Sequence, residues 1–246
     1  MIFAAIADIH GNSVALEAVL ADIRKLGIND IVNLGDCFSG PLDAGRTADI
    51  LIGEGIPSVR GNHDRALIEQ SFEEMGPWER IVYPQLSAAH LDWLKALPFD
   101  MVFNDIAYCC HGSPKGDLDY WLDRLLLEGV LHLHPQAEID ALAEGIPQPL
   151  MLCGHTHIAR TAQLSDGRLV VNPGSVGCPG WKDDEPFYHE VNVGHPLACY
   201  AVLEETAYGW QVSHRQVPYD NRPMVELAKR NGMKRVGNAI AHGWLG

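Results

Sequence analysis

Residues 2–12 read I-F-A-A-I-A-D-I-H-G-N, an apolar run from Ile2 to Ala7 that ends on Asp8, Ile9, His10 and a glycine. An apolar run without alternation suits a strand covered on both faces. The stretch that follows, Ser13 to Leu26, sets Leu16, Leu20, Ile23 and Leu26 three and four residues apart before Gly27. That spacing predicts an amphipathic helix with a glycine stop. A buried strand feeding a helix is the opening unit of an α/β fold.

Outward from this unit, the strand signature recurs at Ile31–Leu34, Ile56–Val59, Ile106–Cys110 and Leu150–Cys153. Further helices are predicted from Asp43 to Ile52 ahead of Gly53, and from Ser87 to Leu97 ahead of Pro98. After Gly154 the texture changes. Leu169–Val171, Cys199–Leu203 and Gln211–Val217 are joined by turns rather than helices, which predicts antiparallel pairing in a second sheet. A last helix is expected from Arg222 to Asn231, with Asp220 and Asn221 as cap candidates, Pro223 in the first turn and Gly232 as its stop. The 246 residues are expected to form one domain, with residues 113–148 as a helical cap insertion.

The chain carries 18 Lys and Arg against 32 Asp and Glu, a net charge of -14. That is the wrong sign for an extended nucleic-acid surface. An anionic ligand would therefore need local positive charge, which bound metal supplies. The six cysteines form no CxxC pair and sit mostly in apolar runs, as reduced buried thiols do. No basic leader and no run of roughly 20 apolar residues is visible, so a cytoplasmic protein without a membrane span is expected.

Each of the five early apolar runs stops at a residue able to bind a hard or borderline cation. Asp8 and His10 follow the first, Asp36 the second, Asn62 the third, His111 the fourth, and His155 with His157 the fifth. Glycines at 11, 35, 61, 112 and 154 adjoin these residues, as expected where the backbone turns sharply beside an ion. Carboxyl ends of strands are where α/β sheets assemble their sites. Asp8 and His10, two apart on extended chain, can grip one ion, as can His155 and His157. A single carboxylate, Asp36, could bridge two.

These motifs, D-I-H-G-N at 8–12, G-D at 35–36, G-N-H-D at 61–64, H-G at 111–112 and G-H-T-H at 154–157, resemble those of the calcineurin-like metallophosphoesterases. Asn172–Gly177 (N-P-G-S-V-G), Ala198–Glu204 and Val217–Asp220 are similar to segments of the small bacterial branch of that family. The resemblance implies a four-layer αββα sandwich of two mixed sheets flanked by helices, with a dinuclear site at the strand C-terminal ends. It assigns one metal to Asp8, His10, Asp36 and His157, and the other to Asp36, Asn62, His111 and His155. It sets His63 beside the substrate, with Asp64 orienting it. The arginine expected soon after N-P-G-S-V-G in near relatives is absent, Gly180 and Trp181 standing there instead.

The implied activity is hydrolysis of a small phosphate ester, a nucleotide among the candidates, by a phosphodiesterase or small-molecule phosphatase. Two divalent ions roughly 3.5 to 4 Å apart would share the nucleophilic hydroxide and clamp phosphoryl oxygens. Oxygen and imidazole donors admit manganese, iron, zinc or nickel. Asn12 is a candidate cap or substrate contact, and the helix behind it would aim its positive end at the phosphate. Tyr120 and Trp121 are read as packing or as a stacking surface, and His132 and His134 as ordinary partly exposed side chains. A reactive role for Cys37, Cys110 or Cys153 is disfavoured because neighbouring strand positions face opposite ways. Cys178 to Pro196 reads as a specificity loop or a plain hairpin. Two rivals stand beside the hydrolase: a non-catalytic scaffold of the same fold, and a protein Ser/Thr phosphatase. The latter is disfavoured because Gly35–Gly40 reads G-D-C-F-S-G and G-N-H-D replaces G-N-H-E.

Overall fold

A computed structural model describes residues 1–246. The first half of the chain runs β1 (Ile2–Ile6), α1 (Ser13–Lys25), β2 (Ile31–Asn33), α2 (Ala44–Glu54), α3 (Asn62–Glu69), α4 (Pro77–Val82), α5 (Ala88–Ala96), β3 (Asp100–Phe103) and β4 (Ala107–Cys110). There follow β5 (Asp123–Leu125), β6 (Leu131–Leu133), α6 (Gln136–Leu142), β7 (Leu150–Leu152), β8 (Arg160–Gln163) and β9 (Leu169–Asn172). The last part holds β10 (Gly180–Asp183), β11 (His189–Asn192), β12 (Ala198–Thr206), β13 (Gly209–Val217), α7 (Arg222–Arg230) and α8 (Lys234–His242).

β1 shows how the layers are made. Its even residues, Ala4 and Ile6, pack with Leu16, Leu20 and Ile23 of α1. Its odd residues, Phe3 and Ala5, pack with Ala107, Leu150 and Leu152 of the other sheet. A period of two thus joins two cores through one strand. The first sheet has the order β13-β12-β1-β2 and the second β3-β4-β7-β9-β8. Both are mixed: β1 pairs parallel with β2 and antiparallel with β12, while β4, β7 and β9 are parallel and flanked by antiparallel β3 and β8. The outer face of the second sheet, with Met151, Cys153 and Val170, is covered by Ile139 and Ala143 at α6. Helix, sheet, sheet and helix therefore stack in four layers, as expected.

Several details differ from the sequence reading. The late strands do not share a sheet: β12 and β13 extend the first, and β9 joins the second in parallel with β7. Hydrophobic pattern marks a buried strand but not its partner. Ile56–Val59 makes only an isolated bridge from Ser58 to Asn33, Pro57 having no N–H to offer a ladder. Segment 113–148 is a β5–β6 hairpin and one short helix, α6, rather than a helical cap, because Gly129 and Pro135 interrupt any longer run. α2 continues through Gly53 and stops at Gly55, whose φ of 63° provides the left-handed cap. Asn221 makes no side-chain cap and instead donates to Ile240 O at 2.7 Å, tying α7 to a further helix, α8, that pattern alone did not announce. No helix is long and apolar enough to cross a membrane.

Candidate metal centre

β1 and β2 run on side by side past their last strand residues. Asp8 N donates to Gly35 O at 3.0 Å, His10 N to Asp36 O at 3.0 Å, and Gly11 N to Cys37 O at 3.1 Å. Within these loops and the one after β7, φ is positive at Asp8 (54°), His10 (49°), Asp36 (54°), His155 (69°) and His157 (63°). Asp and His tolerate this region better than most residues, yet each such turn costs of order 1–2 kcal/mol. Tertiary bonds hold it: Ser175 Oγ donates to Asp8 O at 2.7 Å, and Gly154 N to His111 O at 2.7 Å. Gly35, at φ 95°, lies so near the next loop that a Cβ there would be 2.6 Å from Gly61 N. The strain is concentrated where the candidate ligands are, a pattern typical of functional sites.

The structure brings all seven candidate ligands together. Asp36 Oδ2 lies 3.2 Å from His111 Nε2 and 3.7 Å from His10 Nε2. His10 Nε2 and His157 Nε2 are 3.1 Å apart, and His157 Nε2 is 3.5 Å from Asp8 Oδ1. Asn62 Oδ1 is 3.1 Å from His111 Nε2. Asp8, His10 and Asp36 offer donor atoms within 4.8 Å of one another, and so do Asp36, His111 and His155, with Asp36 common to both.

Three imidazoles are oriented by backbone carbonyls at Nδ1: His10 by Ser39 O at 2.5 Å, His111 by Leu34 O at 2.8 Å, and His157 by Cys178 O at 2.6 Å. A carbonyl can only accept, so each Nδ1 carries a proton and each ring directs its Nε2 inward, as a lone pair in the neutral rings of His10 and His157. For His10 and His157 two such lone pairs face each other at 3.1 Å, an arrangement that a cation relieves. The donor set therefore fits divalent metal.

Charge agrees. Burial pulls His10 down to a pKa of about 4 and His155 to about 3, and pulls His157 well below its ordinary value, so these rings are neutral. Burial, reinforced by Asp36, pushes Asp8 up to about 8. Burial also opposes charge on His111, but Asp36 outweighs it and lifts the ring to about 10. Protons are thus favoured on Asp8 and His111, the neighbours of Asp36, and a cation held there would displace them.

His63 lies half-buried on the cleft beside this cluster. Its N–H donates to Asp36 Oδ1 at 3.0 Å, and its Nδ1 meets Glu79 Oε1 at 2.5 Å. Burial acts against its charge, but Asp36 and the Glu79 bond lift its pKa to about 9. Asp64 does not orient the ring: its carboxylate accepts from Gly61 N at 3.0 Å and Cys37 N at 2.9 Å, stitching two ligand loops. That role falls to Glu79, which the sequence reading missed. It sits on α4, and no local motif links it to His63. Asn12 is fully buried, caps α1 through Ala15 N at 3.1 Å and donates to Gly177 O and Tyr219 Oη at 3.0 Å each, which leaves it no substrate contact.

The cleft has a volume of about 670 Å³. Its aromatic lining was only half anticipated. Tyr120 packs 5.1 Å from the His155 ring, whereas its neighbour Trp121 is core beneath the second sheet. Trp78 stacks on His63 at 5.6 Å, and Trp181 packs 5.9 Å from His157. The Cys178–Pro196 stretch is a hairpin, β10–β11, that also lines the cleft. His132 and His134 stand apart, the latter paired with Glu138 at 2.7 Å. Cys37, Cys110 and Cys153 are buried with thiol pKa values pushed well up by desolvation. Cys178, which no motif singled out, has its sulfur within 4.8 Å of the His10 and His157 donor atoms, its thiol donating to Gly180 O at 3.3 Å.

Comparison with known proteins gives three findings. The profile of the calcineurin-like phosphoesterase superfamily domain matches residues 1–193. An uncharacterised protein of Methanocaldococcus jannaschii is 25% identical over 258 residues, covering 99% of this chain and 95% of that protein. The crystal structure of a metallophosphoesterase from Sphaerobacter thermophilus is similar with a TM-score of 0.76 and 26% identity, covering 99% of this chain and 100% of the other.

Proposed function

The chain belongs to the calcineurin-like phosphoesterase superfamily, and on that premise we propose that it hydrolyses small phosphate esters, as a phosphodiesterase or phosphatase, with two divalent cations. One cation would be held by Asp8, His10, Asp36 and His157, the other by Asp36, Asn62, His111 and His155. The observation that carries this reading is the inward convergence of three carbonyl-oriented imidazoles on Asp36, the residue common to both donor groups. When bound, the cations supply Lewis acidity toward phosphoryl oxygens and lower the pKa of the attacking water. Manganese, iron, zinc and nickel suit the nitrogen and oxygen donors.

The protein's own part is positioning and proton transfer. With Nδ1 held by Glu79, the ring of His63 turns its other nitrogen to substrate, where it stabilises a phosphoryl oxygen or protonates the leaving oxygen. Trp78, Tyr120 and Trp181 exclude water and offer flat faces to the organic part of the ester, a nucleobase being one candidate. A cytoplasmic setting is compatible with six unpaired, buried thiols.

The test is turnover of bis(p-nitrophenyl) phosphate and p-nitrophenyl phosphate by manganese-loaded protein. Activity is expected in the parent and a loss of roughly 10²–10⁴-fold in His63→Ala, with metal still bound. A metal-loaded His63→Ala variant as fast as the parent would contradict the role given to His63.

A further inference from the structure

The cleft has a second wall that the chemistry above leaves unused. Past residue 193, where the family match ends, the chain adds β12 and β13 and then α7 and α8, and Met233, Lys234, Val236 and Leu245 line the same cleft as His63 and His157. This wall is fastened to the β10–β11 hairpin. Leu245 N donates to Asn192 Oδ1 at 2.7 Å, and Arg235 Nη2 meets Glu190 Oε1 at 2.6 Å. Ala239 of α8 packs so closely on Gly180 that a Cβ there would lie 3.0 Å away. The adjoining Trp181 packs on the His157 ring, so α8 is tied to the candidate ligand cluster by continuous packing.

Three cationic side chains line the cleft: Lys182, Lys234 and Arg235. Two are engaged. Lys182 pairs with Asp184 at 3.5 Å, and Arg235 is held by Glu190 and by Tyr188 Oη at 3.1 Å. Lys234 is exposed and has no carboxylate within 4.0 Å. An ammonium without an ion-pair partner, on a cleft wall that also carries Asp183 and Asp184, is the lining cation left free to meet a ligand's negative charge. The aromatic side chains of Tyr120 and Trp181 line the same cleft.

We propose that Lys234 reads a second anionic group on the substrate, set apart from the reacting phosphoryl by a planar portion. The preferred substrate class is then a phosphoester with an aryl or heteroaryl group and a distal negative charge. The identity of the reacting phosphoryl rests on the phosphoesterase reading; the contact made by the lysine does not.

Two measurements separate the two ideas. The first is titration calorimetry on manganese-loaded protein with 4-carboxybenzylphosphonate and its neutral isostere, 4-carbamoylbenzylphosphonate. The carboxylate is expected to bind about fivefold more tightly, the size of one partly screened ion pair. That preference disappears in Lys234→Ala, persists in Lys234→Arg and inverts in Lys234→Glu. Equal affinities in the parent, or a preference kept by Lys234→Ala, overturn the inference. The second is kcat/KM for 4-nitrophenyl diesters whose other arm is 4-carboxyphenyl or 4-carbamoylphenyl, where the same ratio and the same loss in Lys234→Ala are expected. If neither ester turns over while the phosphonate preference follows Lys234, hydrolysis is refuted and the charge-reading lysine stands.

Discussion

The two walls of the cleft are built by opposite means. The inner wall consists of loops leaving β1, β2, β4 and β7, where Asp8, His10, Asp36, His111 and His157 are buried, five candidate ligands sit in left-handed backbone, and carbonyls fix the imidazole rings. The outer wall consists of the β10–β11 hairpin and α7–α8, where Lys182, Lys234 and Arg235 reach solvent and are held by surface ion pairs or by none. Strain and burial are tolerated where donor positions must be fixed to fractions of an ångström. Exposure would suit a wall that meets a variable part of the proposed substrate. On the proposed reading, one cleft would combine a rigid reacting end with an adaptable recognising end.

Mutation of each wall separates the two. Glu79, which is no candidate ligand but holds His63, comes first. Glu79→Gln should lower kcat by roughly 10–100-fold, the usual weight of a supporting partner, while metal content equals that of the parent. Loss of metal together with activity would make Glu79 part of the cluster rather than a support. Next comes Gly61→Ala, whose Cβ would press on Asp36, including its backbone N at 2.5 Å. Overpacking of this kind costs about 2 kcal/mol, or roughly 4–8 °C in Tm for a chain of this size. An unchanged Tm would show the inner wall to be softer than its hydrogen bonds imply. The smallest effect belongs to the outer wall. Glu190→Gln removes the partner of Arg235, an exposed pair worth about 0–1 kcal/mol, so a change in Tm beyond roughly 4 °C would break the distinction.

The same division governs what could be read from sequence. β1, β4 and β7 were legible because uninterrupted apolar runs such as Ile2–Ala7 are what doubly covered strands require, and their ends carried Asp8, His111 and His155 in plain view. Glu79 was not legible, because α4 reaches His63 only through packing of α3 against its neighbours, sixteen residues further along the chain. Asp64 was legible as a buried acid but not as a stitch between Gly61 and Cys37, since backbone N–H partners leave no trace in side-chain identity. β9 carried the mark of a strand but not of its parallel partner β7. The outer wall was hardest. Its second helix, α8, is short and contains Gly237, and Lys234 acquires meaning only when the hairpin brings it to the cleft.

On the proposed reading, seven side chains from five loops form one cation-binding cluster organised around Asp36. Elemental analysis of protein saturated with manganese and passed through a desalting column tests it most directly. Two equivalents per chain are predicted for the parent and fewer than one for Asp36→Ala, with folding checked by circular dichroism. A parent that retains no metal, or an Asp36→Ala variant that retains the full complement, would overturn the assignment of these ligands.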